Sequence, residues 1–246
     1  MKILSIGNSF SQDAHRYLYE LAKKDGTALK LVNLYIGGCS LRTHYLNMLD
    51  DKTAYSFEFN GKSTGIAVSL RQVLASDDWD VITLQQASHL SWDWESYQPY
   101  LNELLAYVRK YCPHSKIYLH ETWAYENGCE RLQKINGYAN AREMYGDLKK
   151  AYKKAAKEIQ ADGIIPSGTA MLKASEMGIE KVHRDMCHAS KGAGRYLLAL
   201  TWYKTLTGHD IIGNNFAELD EEITQEEREI VINAVEWSLN TIKTTS

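Results

Sequence analysis

Residues 2–24 read KILSIGNSFSQDAHRYLYELAKK. Residues 2–6 form a short apolar run that stops at Gly7, which suits a central strand of a parallel sheet. Residues 11–24 then carry Ala14, Tyr17, Leu18 and Leu21 at helical spacing, so a helix follows. A strand that runs through a glycine into a helix is the opening of an alternating strand–helix chain.

The alternation continues outward from there. Residues 29–36 form a second strand, ending at Gly37-Gly38, and residues 80–84 a third. Residues 116–120 and 163–165 supply the fourth and fifth. Helical spacing marks residues 68–74, 97–111 (ending before Pro113), 139–160, 167–176, 191–207 and 225–242. Residues 55–59 alternate aromatic and polar side chains and then meet Asn60-Gly61, a strong hairpin signal. The pattern predicts an α/β three-layer sandwich: a mostly parallel five-stranded sheet, helices on both faces and a small β-hairpin insertion at the edge. No repeat, low-complexity tract or linker interrupts it, so residues 1–246 read as one domain. In such sheets functional groups lie beyond the carboxyl ends of the strands.

Composition narrows the function classes. The chain is 44% hydrophobic and 24% charged, the proportions of a soluble globular protein. Its net charge of −3 offers no basic surface for nucleic acid. Lys149, Lys150, Lys153, Lys154 and Lys157 sit at polar positions of one long helix and read as a solvated face. No apolar run reaches the roughly 20 residues of a membrane span. The N-terminal run is too short for a secretion signal, and the chain reads as cytoplasmic. Cys39, Cys112, Cys129 and Cys187 show no CxxC spacing, so free thiols are expected. No cofactor is implied, and the sequence specifies no oligomeric state.

Two motifs carry chemistry. Ser9 follows the first strand in Gly7-Asn8-Ser9-Phe10, where the next helix points its free N–H groups and suits a developing oxyanion. Ser9 or Ser11 would equally serve as the cap of that helix. Far along the chain, Asp185-Met186-Cys187-His188 places a carboxylate three residues before a histidine. A turn there brings the carboxylate onto one ring nitrogen, leaving the other to take a proton. The alternative is a surface turn with an ion pair to Arg184 or Lys191. His183, Asp185, Cys187 and His188 are also of zinc-ligand type, though no HExxH or CxxC accompanies them. Ser5, Ser9 and Ser11 would suit the phosphate loop of a flavodoxin-like nucleotide binder, a reading that leaves Asp185 and His188 without a role.

Taken together, the glycine-flanked serine after the first strand and the late Asp-x-x-His resemble the SGNH (GDSL-like) hydrolases. The run Asp185-Met186-Cys187-His188-Ala189-Ser190, with Gly192 and Leu206-Thr207-Gly208, is similar to the bacterial DUF4886 subgroup. The resemblance implies that Ser9, Asp185 and His188 form a catalytic triad. It also implies an oxyanion hole built from the Ser9 and Gly38 N–H groups and a side-chain amide. Asn8 stands where the family usually has Asp. The third block departs further: it reads Leu84-Gln85-Gln86-Ala87-Ser88, with Ala87 at the expected Asn, so Gln85, then Gln86, is the amide the resemblance suggests.

The expected function is a serine ester hydrolase that removes short acyl groups, acetyl above all, from a carbohydrate or similar small ester. Trp92, Trp94 and Trp123 follow the third and fourth strands, where they are candidates to stack on a sugar ring or to pack beneath loops. The alternative is a weak or inactive SGNH-fold protein that only binds carbohydrate.

Overall fold

The computed structural model describes residues 1–135 and 137–243. Seven strands form one sheet: β1 (Lys2–Gly7), β2 (Lys30–Tyr35), β3 (Tyr55–Phe59), β4 (Lys62–Val68), β5 (Val81–Leu84), β6 (Lys116–His120) and β7 (Gly163–Ile165). Their order is β4-β3-β2-β1-β5-β6-β7. The five strands from β2 to β7 in that row run parallel, as the alternation predicts. The hairpin β3–β4 pairs antiparallel with β2, Val32 opposite Phe59 and Tyr35 opposite Ser56. The sheet is therefore mixed and seven-stranded, larger than the five expected. The hairpin extends the main ladder because β2 would otherwise leave its backbone groups unpaired at an edge.

Among the described residues eight α-helices cover the sheet: α1 (Ser9–Lys24), α2 (Leu41–Leu49), α3 (Leu70–Leu74), α4 (Tyr100–Tyr111), α5 (Ala141–Glu158), α6 (Ser167–Glu176), α7 (Ala193–Thr207) and α8 (Gln225–Lys243). Two apolar cores result, one per face. Ile3, Leu31, Val81 and Ile165 pack against residues of α1, α6, α7 and α8. Leu4, Ile6, Val32, Leu34, Ile82 and Leu84 pack against α2, α3, α4 and much of α5. Successive residues of a strand face opposite layers, which is why Ile3 and Leu4 part company. Each fully buried Leu or Ile contributes about 1.5–3 kcal/mol by leaving water.

Boundaries differ where capping chemistry overrides periodicity. Val68 ends β4, and α3 begins only after Ser69, whose hydroxyl accepts from the Gln72 N–H. Residues 94–97 form a separate 3₁₀ turn, so α4 starts at Tyr100, beyond Pro99. Helix α2 lies in a stretch that periodicity does not mark; Ser40 caps it by accepting from Thr43. Among the described residues no helix is long and apolar enough to cross a membrane.

The sheet face beneath α1 is polar at its centre and fully bonded. Thr83 donates to Ser5 (2.9 Å), and Ser5 lies 2.8 Å from His15 Nε2. Asn33 Nδ2 donates to Glu58 (2.8 Å), while Asn33 Oδ1 accepts from Ser11 (2.8 Å). Gln12 also donates to Glu58. A buried polar group without a partner costs about 1–3 kcal/mol, so this layer holds α1 at one height and rotation over the strands.

Candidate active site

Ser9 is the first residue of α1, directly beyond β1. The cap of that helix is Asn8, not a serine: its Oδ1 accepts from the Phe10 N–H at 3.0 Å. Ser11 completes the cap by accepting from the Asn8 N–H at 3.1 Å. The Ser9 hydroxyl is thereby released from capping. Gly7 is required by this tight entry, since a Cβ there would lie 2.2 Å from Ser11 Oγ.

The distant motif closes on the serine. His188 Nε2 lies 2.9 Å from Ser9 Oγ, and His188 Nδ1 lies 2.8 Å from Asp185 Oδ2. The second carboxylate oxygen accepts from the backbone N–H groups of His188 (2.7 Å) and Cys187 (3.1 Å). Met186, between them, is forced to a φ of +62° by the tightness of this turn. Partial burial pushes the Asp185 pKa up, but the His188 N–H and ring outweigh it and hold the carboxyl below its usual range.

Two anchors fix that turn. Arg184 donates to both oxygens of Asp13 at 2.9 Å and to the Ala189 carbonyl at 2.6 Å. Asp13 is fully buried on α1, four residues after Ser9, and also accepts from Arg195. The ion pair ties the Asp-x-x-His segment to the helix that presents the serine. On the other side, Trp123 donates its indole N–H to the Cys187 carbonyl at 2.8 Å. Trp123 stacks on Phe10 at 3.8 Å, and Phe10 meets the His188 ring edge-on at 5.7 Å.

A cleft of about 340 Å³ opens over the serine, with Gly38, Tyr35, His89, Arg131 and His188 in its walls. Gly38 adopts a φ of +62°, the left-handed region that glycine enters at no cost. The Cys39 carbonyl beside it accepts from Asn8 Nδ2 at 3.1 Å, which locks the β2 loop to the serine turn. The amide of Ser9, in the first turn of α1, has no intrahelical acceptor and points with the positive end of the helix dipole.

The other expected residues lie elsewhere. Gln85 Nε2 donates to Asn8 Oδ1 at 2.8 Å, and its Oε1 lies 2.8 Å from His120 Nδ1. Gln86 donates to Ser96 and accepts from Leu41 and Ala87. Both amides are buried and engaged, and neither side chain lines the cleft. Trp123 is only 1% exposed. Trp94 stacks against Tyr97 with Lys154 over its ring, and Trp92 meets Tyr138 edge-on. None of the three tryptophans lines the cleft. Among the described residues no group of three or more His, Cys, Asp or Glu is arranged to hold a metal ion. His183 instead donates to the Ala124 carbonyl at 3.2 Å. Ser5 and Ser11, the other candidate phosphate-loop serines, are buried in the bonded layer under α1.

Two residues escaped the sequence reading. Asp13 is a charge beside the apolar stripe of α1, a signal that called for a cationic partner. Arg131 had no local signal, because the loop that carries it to the cleft has no periodicity.

Comparison with known proteins agrees with this architecture. The family model for DUF4886, a domain of unknown function, matches residues 2–236, and the chain belongs to that family. A DUF4886 family protein from Bacteroides uniformis is 34% identical, with a TM-score of 0.89 over 97% of this chain and 94% of that one. A Slackia heliotrinireducens protein provisionally assigned as an SGNH hydrolase is 21% identical, with a TM-score of 0.60 over 84% of this chain and 98% of that one. The acetylxylan esterase Axe2 from Geobacillus stearothermophilus is 16% identical, with a TM-score of 0.56 over 84% and 94%. No curated protein sequence matches the chain. The fold is thus that of the SGNH hydrolases.

Proposed function

We propose that this DUF4886 protein is a serine ester hydrolase, with Ser9 as nucleophile, His188 as general base and Asp185 as the group that orients His188. The observation that carries the reading is the continuous relay from Ser9 Oγ to His188 Nε2 (2.9 Å) and from His188 Nδ1 to Asp185 (2.8 Å). A serine hydroxyl is a weak nucleophile until a base takes its proton. His188 takes it as Ser9 attacks the ester carbonyl. Asp185 keeps the proton of the neutral ring on Nδ1 and stabilises the imidazolium that forms. The resulting oxyanion is held by the Ser9 and Gly38 N–H groups. His188 then protonates the leaving alcohol, water enters, and the acyl group departs as a carboxylic acid.

With Gln85 and Gln86 engaged elsewhere, this hole has backbone donors and no side-chain amide. One donor typically contributes a factor of about 10²–10³ in kcat, so turnover is expected to be modest. Gln85 acts instead through Asn8, whose position it fixes. The small volume of the cleft supports a short acyl group. The likeness of fold to acetylxylan esterases supports acetyl esters of carbohydrates as the substrate class. The test is hydrolysis of p-nitrophenyl acetate by the native protein and by Ser9→Ala. Loss of turnover in a folded variant supports the assignment, and undiminished turnover refutes it.

A further inference from the structure

We propose that the cleft over Ser9 selects esters bearing a carboxylate close to the ester group, and that Arg131 is the residue that reads this charge. The inference rests on the hydrolase reading above and names the chemistry of its substrate. Arg131 opens a short π-helical turn (Arg131–Ile135) and shares the cleft with Ser9, Gly38 and His188. It is exposed, yet its guanidinium is not directed at solvent alone: Cys187, Tyr125 and Cys129 are the groups that act on it. Burial pushes the Cys187 thiol up to about 11 and the Tyr125 phenol up to about 12, so both are neutral at pH 7.

Glu130 pairs with Lys134 at 2.9 Å, and the groups that act on Arg131 include no carboxylate. Asp185 sits behind His188, accepting from its ring and backbone. Among the described residues Arg131 forms no ion pair with a carboxylate. Among the described residues the cleft walls contain no Asp or Glu. They hold instead His89, which feels the Arg131 charge, and Ser88, whose hydroxyl lies 2.9 Å from Tyr125 OH. A guanidinium without a carboxylate partner, on the wall of the cleft that holds the nucleophile, is a site for a planar anion that its paired N–H groups match. The dipole of α1 adds positive potential at the same place, and its first turn has no acidic residue.

The carboxylate can belong to either half of the ester, and two substrate pairs distinguish these. Phenyl acetate against 3-acetoxybenzoate places it on the alcohol; ethyl butyrate against monoethyl succinate places it on the acyl group. The native protein is expected to favour the anionic member of one pair in kcat/KM. In Arg131→Gln that preference falls about tenfold, and Arg131→Lys retains part of it. No preference in either pair, or one unchanged in Arg131→Gln, overturns the proposal. Titration with 3-hydroxybenzoate and succinate by calorimetry tests the anion site without turnover. Arg131-dependent binding of one of them in a protein that hydrolyses no ester would uphold the anion site and reject the hydrolase reading. Ester turnover with neither binding nor preference would do the reverse.

Discussion

Asn8 shows how much a single side-chain atom decides. Its Nδ2 donates to the Cys39 carbonyl while its Oδ1 accepts from Phe10 and Gln85. An aspartate there would set a carboxylate oxygen against the carbonyl of the Gly38 loop. Asn8→Asp is therefore expected to lower stability by about 1–3 kcal/mol in urea unfolding and to reduce kcat, because the Ser9 turn and the Gly38 loop shift together. Asp185→Asn keeps the shape of the turn but favours the wrong tautomer of His188. It should lower kcat by about 10⁴-fold with little change in KM, read by steady-state kinetics. That Ser9, Asp185 and His188 come together was legible in the sequence, because a strand end and a three-residue spacing point to them. The partners of Gln85 and Gln86 were not. A residue type names a possible donor, but only the fold shows that Gln85 donates to Asn8 and Gln86 to Ser96.

At the scale of elements, the site is a contact between α1 and the segment before α7. Asp13 on α1 grips Arg184 and Arg195 from a fully buried position. Removing one partner of a buried ion pair leaves the other charge uncompensated, at about 3–5 kcal/mol. Asp13→Ala should lose stability on that scale and kcat with it, since the Asp185–His188 turn then loses its ion-pair tether to α1. Chemical denaturation and kinetics on the same preparation check this. The parallel strands were legible because apolar runs ending at glycine recur between helical stretches. The full extent of the sheet was not, because Asn60-Gly61 announces a hairpin without saying that β3 pairs with β2. Nor was α2, whose nine residues lack a continuous apolar stripe and depend on burying Leu41, His44 and Met48.

For the whole molecule, the buried histidines set the response to acid. Burial lowers His15, His44 and His120 to about 3 and His183 to about 4. Each folded pKa lies below the unfolded value near 6.5, so the unfolded chain binds protons that the folded one refuses. The stability they contribute is full above about pH 6.5 and is lost as pH falls through 5 toward 3, at up to about 1.4 kcal/mol per pH unit per histidine. Glu121 opposes them. Burial raises its pKa from 4.5 to about 7, so it keeps its proton in the fold and destabilises as pH rises from 4.5 to 7. Glu121→Gln should therefore gain stability over the native protein at pH 8 and show much less gain at pH 5, in thermal unfolding at both values. The same burial that makes these groups sensitive holds α1 and the ends of β1 and β6 in register around Ser9. A register that makes Ser9 a nucleophile reveals itself in the mass of the protein after exposure to a fluorophosphonate. A single phosphonyl adduct is expected, mapped to Ser9 and absent in His188→Ala; an unlabelled Ser9 in the folded native protein rules the nucleophile out.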